Sequence, residues 1–223
     1  MSYHIDLHKI SIENYKKMLI SRNLLATRRV LKNGIDENFK RLSECGFSNI
    51  GDLYEGMDAG GGIEELSVRS DIDSGYLKIL KKEIEGVLPK PVLISDFPYV
   101  SMDTVRDLAR GGVRTSKDFY GLSGGCKNKS LICANAGITD QEAEELCGLC
   151  DLIRISGVGP VIARILYEAG FKSIYSIAGA EAGEIYDKIC RINDERNYTR
   201  AILQEKELQF CIDFAGLMAK TEE

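Results

Sequence analysis

The segment best suited to chemistry is the short run Gly157-Val158-Gly159-Pro160. Its two glycines allow the chain to turn tightly between two helices, and the proline suits the first turn of the second helix. Val158 is expected to point into the core. Backbone N–H groups are unpaired at the start of a helix and attract anions. The run therefore predicts a turn that can bind a phosphate.

This run resembles the helix-hairpin-helix motif, whose DNA-binding members usually carry Lys or Arg directly after the proline. Val161 occupies that place here, and the nearest cations are Arg154 and Arg164. Those two arginines are expected either to add charge to the phosphate site or to be solvated charges on a helix surface. The predicted nucleic-acid-binding residues are Gly157, Val158, Gly159, Arg154 and Arg164.

The chain has seven scattered cysteines, most of which are expected to be reduced and buried thiols. Cys147 and Cys150 are separated by two residues and follow Cys126 and Cys133, so four thiolates could bind zinc tetrahedrally. However, the first pair lacks the close spacing of a zinc knuckle, and the second pair is predicted to lie one turn apart on a helix. The favoured interpretation has no metal site and no cofactor.

Groups for acid–base or nucleophilic catalysis are scarce. His4 and His8 are the only histidines, and no Ser-His-Asp, Cys-His or paired-carboxylate arrangement is recognisable. The hairpin also lacks the lysine that helix-hairpin-helix DNA glycosylases use. The sequence thus predicts no catalytic residues and a protein that is not an enzyme.

Three similar stretches of sequence predict how the hairpin is positioned. In each stretch, a leucine is followed four residues later by a glycine and then by an apolar residue. Glycine at this place predicts the left-handed residue that ends a helix. The leucines are Leu42, Leu108 and Leu166, and the glycines are Gly46, Gly112 and Gly170.

A second helix is predicted after each of these glycines. Its side-chain caps are expected at Ser48, Thr115 and Ser173. Buried apolar anchors are expected seven residues beyond the glycines, at Leu53, Phe119 and Ile177. A looser helical pair is predicted after each unit, within residues 63–84, 130–149 and 184–218.

Apolar residues recur at helical spacing along almost the whole chain. We predict an all-α fold of tandem helix-hairpin-helix repeats, with short helices arranged in three degenerate double units. A helical extension is expected over residues 1–32, followed by units at 33–88, 92–150 and 151–223. Only the last unit keeps both hairpin glycines, because the aligned positions are Asn33-Gly34-Ile35 and Tyr99-Val100-Ser101.

A wider resemblance rests on several short runs of sequence. They are Pro89-Lys90-Pro91, Asp96-Phe97-Pro98, Asp151-Leu152, Ala169-Gly170 and Arg191-Ile192-Asn193. On these residues the chain resembles an uncharacterised family of tandem helix-hairpin-helix proteins, domain-of-unknown-function family 4332. The resemblance covers residues 92–220, and residues 3–90 more loosely. It implies the fold and carries no established activity.

The charge distribution leaves two functions open. The net charge is −5, and no third of the chain is basic, whereas proteins that bind nucleic-acid phosphates usually show a basic surface. The first possibility is a non-catalytic module that contacts a DNA or RNA backbone through the hairpin. The second is a protein-interaction or scaffold module. No stretch approaches the length of a membrane span, and a cytoplasmic protein is expected.

Overall fold

The computed structural model describes residues 2–222, with only the backbone described for Lys129. Within these residues the regular structure consists of α-helices and short 3-10 helices, without a β-strand, so the predicted all-α class is confirmed. The chain forms two compact units. One comprises Ile5–Leu88, and the other comprises residues 89–222 together with residues 2–4.

The unit formed by Ile5–Leu88 contains five α-helices. They are α1 (Ile12–Ser21), α2 (Ile35–Glu44), α3 (Ile50–Asp58), α4 (Gly62–Ser70) and α5 (Ser74–Glu85). Short 3-10 helices cover Leu7–Lys9 and Ala26–Lys32. The core of this unit consists mainly of the leucine, isoleucine and aromatic side chains of these helices.

The unit that contains residues 89–222 has eight α-helices among its described residues. They are α6 (Met102–Arg110), α7 (Ser116–Leu122), α8 (Lys129–Ala136), α9 (Asp140–Leu152), α10 (Pro160–Glu168), α11 (Ile174–Ala178), α12 (Ala182–Arg196) and α13 (Glu205–Glu222). Helix α13 packs mainly on α11 and α12, and α9 packs on α7, α8 and α10. The predicted helical pairs after each glycine unit therefore correspond to α4–α5, α8–α9 and α12–α13.

The three glycine-ended helices form as predicted. Gly46, Gly112 and Gly170 have φ angles of 93°, 81° and 94°, which is the left-handed region that glycine tolerates best. The apolar residue after each glycine donates its backbone N–H to the carbonyl of the leucine before it, over 3.3, 2.9 and 2.9 Å. These bonds use carbonyl groups that a helix end would otherwise leave unpaired.

The caps of the following helices are confirmed in two of three places. The side chains of Thr115 and Ser173 accept hydrogen bonds from the first turns of α7 and α11. The prediction of Ser48 is wrong, because α3 is capped by Asn49, whose side chain accepts the N–H of Asp52 at 2.8 Å. Asn49 is the residue that stands three positions after the glycine, as Thr115 and Ser173 do.

The predicted apolar anchors are buried. Leu53 and Phe119 are 0 % exposed and Ile177 is 1 % exposed, so each second helix is fixed to its core. The residues expected to form a helical N-terminal extension contain α1 and the 3-10 helices Leu7–Lys9 and Ala26–Lys32. Only Leu31 is buried in the latter, so an α-helix there would lack an apolar stripe.

None of the helices in residues 2–222 is both long and apolar enough to cross a lipid bilayer. The division of the chain into an N-terminal extension and three helix-hairpin-helix units stays a prediction.

Candidate anion-binding hairpin

The candidate site is the turn between α9 and α10, which we call the third hairpin (Ser156–Gly159). Gly157 is exposed and has a φ angle of 94°, so a residue with a side chain would be strained there. Val158 is 6 % exposed and donates its backbone N–H to the Ile155 carbonyl at 3.0 Å. The inward position predicted for Val158 is confirmed. Ser156 and Val158 are therefore the buried residues of this turn, and Gly157 is its exposed residue.

The start of α10 presents unpaired backbone N–H groups. Gly159 is extended and has no side chain to cap the helix, and Pro160 is the first helical residue. Among the described residues, the N–H groups of Val161 and Ile162 have no hydrogen-bond acceptor. Apart from Gly159 and its two chain neighbours, no heavy atom lies within 4 Å of the place where a Cβ of Gly159 would be, so no other side chain covers the N-cap position.

Four other helices of the same unit are closed at this end by side chains, whereas α8 and α12, like α10, have no side-chain cap in the described part of the chain. Helices α6, α7, α9 and α11 are capped by Ser101, Thr115, Thr139 and Ser173, respectively. In each case a hydroxyl oxygen accepts a hydrogen bond from an N–H group of the first turn, and that N–H group is then not free to bind an anion. The N-terminus of α10 differs from these four because its N-cap residue is Gly159, which has no side chain, and not a serine or a threonine.

Arg154 is buried beneath the third hairpin, with only 1 % of it exposed. Its Nε donates to the Tyr3 carbonyl at 2.9 Å, and its guanidinium group forms ion pairs with Asp151 at 2.7 Å and with Glu222. The same group lies 4.2 Å from the ring centroid of Tyr120. The buried guanidinium group of Arg154 thus contacts Tyr3 and Glu222, near the two ends of the described chain, as well as residues of α9 and α7.

Arg164 is also buried, at 3 % exposure. Its Nε donates to the Pro98 carbonyl at 2.8 Å, and its Nη2 pairs with Glu145 at 2.6 Å. These contacts connect α10 with α9 and with the turn that precedes α6. A buried guanidinium is stable here because carbonyl and carboxylate oxygens replace the water that it loses.

The burial of Arg154 and Arg164 excludes one of the two interpretations that the sequence left open for them. The solvated helix surface is wrong for both of them, since each is almost fully buried and bonded within the protein. Contact of either arginine with a nucleic acid stays a prediction, and a phosphate would have to displace Glu222 or Glu145 to make it. What the turn offers directly is backbone N–H groups.

Asp151, which the sequence indicated only as part of the family resemblance, has a structural role. Its Oδ1 accepts from Arg154, and its Oδ2 accepts the backbone N–H of Ile174 at 2.8 Å. Burial raises the pKa of this carboxyl group, and Arg154 opposes the shift. An acidic residue three positions before an arginine on a helix is a pairing signal that could have indicated the role.

The equivalent turn before α6, which we call the second hairpin (Pro98–Ser101), has different chemistry. Tyr99 has a φ angle of 62°, a conformation that L-residues rarely adopt, and 73 % of it is exposed. Val100 donates its N–H to the Phe97 carbonyl at 3.4 Å, as Val158 does to Ile155. Ser101 caps α6 with its hydroxyl group. The backbone path is similar, but its helix N-terminus is closed.

The cysteines do not define a metal centre in the residues described. No group of three or more His, Cys, Asp or Glu side chains there is arranged to hold a metal ion. The expectation that most cysteines are buried is wrong, because Cys45, Cys126, Cys133 and Cys190 are partly exposed, and only Cys147, Cys150 and Cys211 are buried.

A cavity of about 530 Å³ lies in the same unit, and its walls include the side chains of Cys126, Cys147 and Tyr167. Cys150 of α9 does not line this cavity, and burial raises the pKa of its thiol well above the usual range. A thiol that stays protonated is a poor nucleophile and a poor metal ligand. Cys150 is therefore suited to packing and not to chemistry at this cavity.

Comparison with known proteins places the chain in a family. It is an all-α protein that matches the family model described as Domain of unknown function (DUF4332) over residues 98–216. This match spans more than half of the chain, and the chain therefore belongs to that family. No curated protein matches the chain, and no solved structure matches it either.

Proposed function

We propose that this protein is a non-catalytic binding module of the helix-hairpin-helix type, and that its third hairpin contacts a phosphate of a nucleic-acid backbone. The observation that supports the proposal most strongly is the open N-terminus of α10. Gly159 leaves the N–H groups of Val161 and Ile162 without an acceptor among the described residues, and the space at its Cβ position is open. Such donors, together with the positive end of the helix dipole, favour an anion.

The contact is expected to be weak and independent of base sequence. Phosphate contacts made by backbone N–H groups position a nucleic acid and do not read its bases. The two nearest arginines are committed to Glu222 and Glu145, so few counterions are released on binding. Affinity should then be low and should decrease only gently with added salt.

Substitution of Gly159 tests the proposal. Its φ angle is −93° and its Cβ position is open, so other residues fit without strain. Gly159→Asp caps the helix with a carboxylate that repels phosphate, whereas Gly159→Ala leaves the N–H groups open. Fluorescence anisotropy with labelled DNA and RNA at low salt should show binding by wild type and Gly159→Ala, and at least tenfold weaker binding by Gly159→Asp.

The design separates loss of the site from loss of the fold. Aspartate is among the preferred N-cap residues, so Gly159→Asp should unfold at the same or higher denaturant concentration than wild type. Equal binding by Gly159→Asp and Gly159→Ala would reject the hairpin as the phosphate site. The absence of binding by the wild type at low salt would reject the nucleic-acid proposal.

A protein-interaction module is the second candidate, and the side chains beside the hairpin favour it. Val161 and Ile162 follow Pro160 and remain partly exposed, so the start of α10 combines apolar groups with free N–H donors. The net charge of −5 also suits a partner other than a polyanion. Under this proposal, a Val161→Asp variant should lose a partner that Gly159→Ala retains in a pull-down experiment.

A further inference from the structure

Tyr99 is an exposed aromatic residue in a backbone conformation that bulky L-residues rarely adopt. It lies in the left-handed backbone region at a φ angle of 62°, and 73 % of it is exposed. A left-handed L-residue is strained, and such strain is concentrated at functional sites. At the matching position of the third hairpin, Gly157 adopts the same region without strain. Packing in the core does not require the tyrosine ring.

A neighbouring aromatic residue holds the ring in place. Tyr198 lies with its ring centroid 5.5 Å from that of Tyr99, at an interplanar angle of 80°. The Tyr198 hydroxyl group in turn donates to Glu168 at the end of α10, over 2.6 Å. This contact supports Tyr99 from one side and leaves most of its ring surface in contact with solvent.

The exposed face of α6 continues from Tyr99. Met102, Arg106 and Arg110 lie at successive helical turns; Met102 is 65 % exposed, and the arginine side chains are exposed to 65 % and 78 %. The arginines pair with the exposed carboxylates of Asp103 and Asp107. Ion pairs of this kind contribute little to stability, so each arginine can exchange its carboxylate for a phosphate at low cost.

The nearest other acidic groups are already engaged. A small cavity beside Tyr99 is lined by Glu142 and Glu145. Glu145 pairs with Arg164, and Glu142 accepts hydrogen bonds from Thr104 and Thr139. The charge of Glu145 is therefore paired with a cation, and that of Glu142 is stabilised by hydrogen bonds.

We propose that Tyr99 is a stacking platform for an unpaired base of a single-stranded nucleic acid, with Arg106 and Arg110 facing the phosphates that follow. This inference rests on the proposed function and adds the class of ligand. Aromatic rings stack on any base, and single strands are recognised through such stacking beside cationic groups. In duplex DNA the base faces are covered, so Tyr99 should distinguish single from double strands.

The test compares a labelled oligothymidylate with an abasic oligomer that has the same number of phosphates. We expect the full chain to bind the thymidylate about tenfold more tightly than the abasic strand, because only the former has bases to stack. Tyr99→Gly should remove this preference and Tyr99→Phe should retain it. Tyr99→Gly is expected to fold, since glycine fits the left-handed backbone that Tyr99 adopts.

The outcomes separate this inference from the proposed function. If Gly159→Asp weakens binding to both oligomers while Tyr99→Gly leaves the preference for bases intact, the hairpin binds phosphate and the stacking inference is overturned. Equal binding of both oligomers by wild type also overturns it. The stacking inference is supported if Tyr99→Gly loses the preference for the thymidylate over the abasic oligomer and Tyr99→Phe retains it. This holds even if Gly159→Asp does not change binding.

Discussion

The second and third hairpins show how similar turns can acquire different chemistry. Gly157 and Tyr99 both adopt left-handed backbone conformations, and Val158 and Val100 make equivalent backbone hydrogen bonds. The third hairpin exposes glycine and ends at an open helix N-terminus. The second exposes a tyrosine ring and ends at a serine cap. The residue types at matching positions, and not the path of the chain, therefore determine which ligand each turn suits.

The hairpins also differ in what supports them. Below the third hairpin lies the buried Arg154 with Asp151 and Glu222. The position that matches Arg154, three residues before Tyr99, is Asp96, an exposed residue whose carboxylate accepts the N–H of Leu93 at 3.3 Å. One turn depends on a buried charge cluster, and the other depends on a local hydrogen bond.

The largest difference between the two hairpins should follow removal of these supports. Arg154→Ala should lower the free energy of unfolding by about 3–5 kcal/mol, because Asp151 and Glu222 lose their buried counter-charge. Asp96→Ala should lower it by only about 1 kcal/mol, since one exposed hydrogen bond is lost. Urea denaturation followed by circular dichroism measures both, and similar losses would contradict the comparison.

A smaller difference in stability between the two hairpins is expected when the left-handed residue of each is substituted. Gly157→Ala should cost about 1–2 kcal/mol, because alanine is strained at a φ angle of 94°. Tyr99→Gly should leave stability unchanged or raise it by up to about 1 kcal/mol, as relief of strain outweighs the entropy of glycine.

Gly159→Ala is the matched control for this pair. Gly159 has a negative φ angle and open space around its Cβ position, so alanine there should change stability little. Thermal unfolding of the three variants provides the measurement. A loss in Tyr99→Gly as large as that in Gly157→Ala would show that the Tyr99 ring contributes to folding.

The smallest expected effect concerns pH and the contact between α6, which follows the second hairpin, and α9, which precedes the third hairpin. Hydrogen bonds from Thr104 of α6 and from Thr139 lower the pKa of the Glu142 carboxyl group. A folded-state pKa below the unfolded value stabilises the protein above the usual glutamate range, and this stabilisation is lost as the pH falls. Glu142→Gln should therefore be less stable than wild type by about 0.5 kcal/mol near neutral pH.

That stability difference should disappear in acid, when Glu142 of the wild type is protonated. Chemical denaturation of both proteins at neutral pH and near pH 3 gives the comparison. A difference that stays constant between the two pH values would mean that the carboxylate charge does not contribute to the contact between α6 and α9.

Local signals predicted the helical framework well. The left-handed glycines, the anchors at Leu53, Phe119 and Ile177, and the caps Thr115 and Ser173 depend on residues close in sequence. The error at Ser48 arose because Ser48 and Asn49 are both suitable caps, and only the register relative to Gly46 distinguishes them.

Features that depend on distant residues could not be predicted in this way. Arg154 is buried because Tyr3 and Glu222, from opposite ends of the sequence, meet at its guanidinium group. Arg164 is buried because the Pro98 carbonyl lies beside it. Likewise, the left-handed conformation of Tyr99 could not be predicted from its residue type, since tyrosine favours ordinary extended backbone.

The most direct test of the account is an NMR titration of the ¹⁵N-labelled protein with the abasic oligomer at low salt. The open N-terminus of α10 predicts shifts of the backbone N–H signals of Gly159, Val161 and Ile162. The capped N-terminus of α6 predicts that the signal of Thr104, which is bonded to Ser101, stays in place. Equal shifts at both helix starts, or none at α10, would contradict the claim that the third hairpin is the phosphate site.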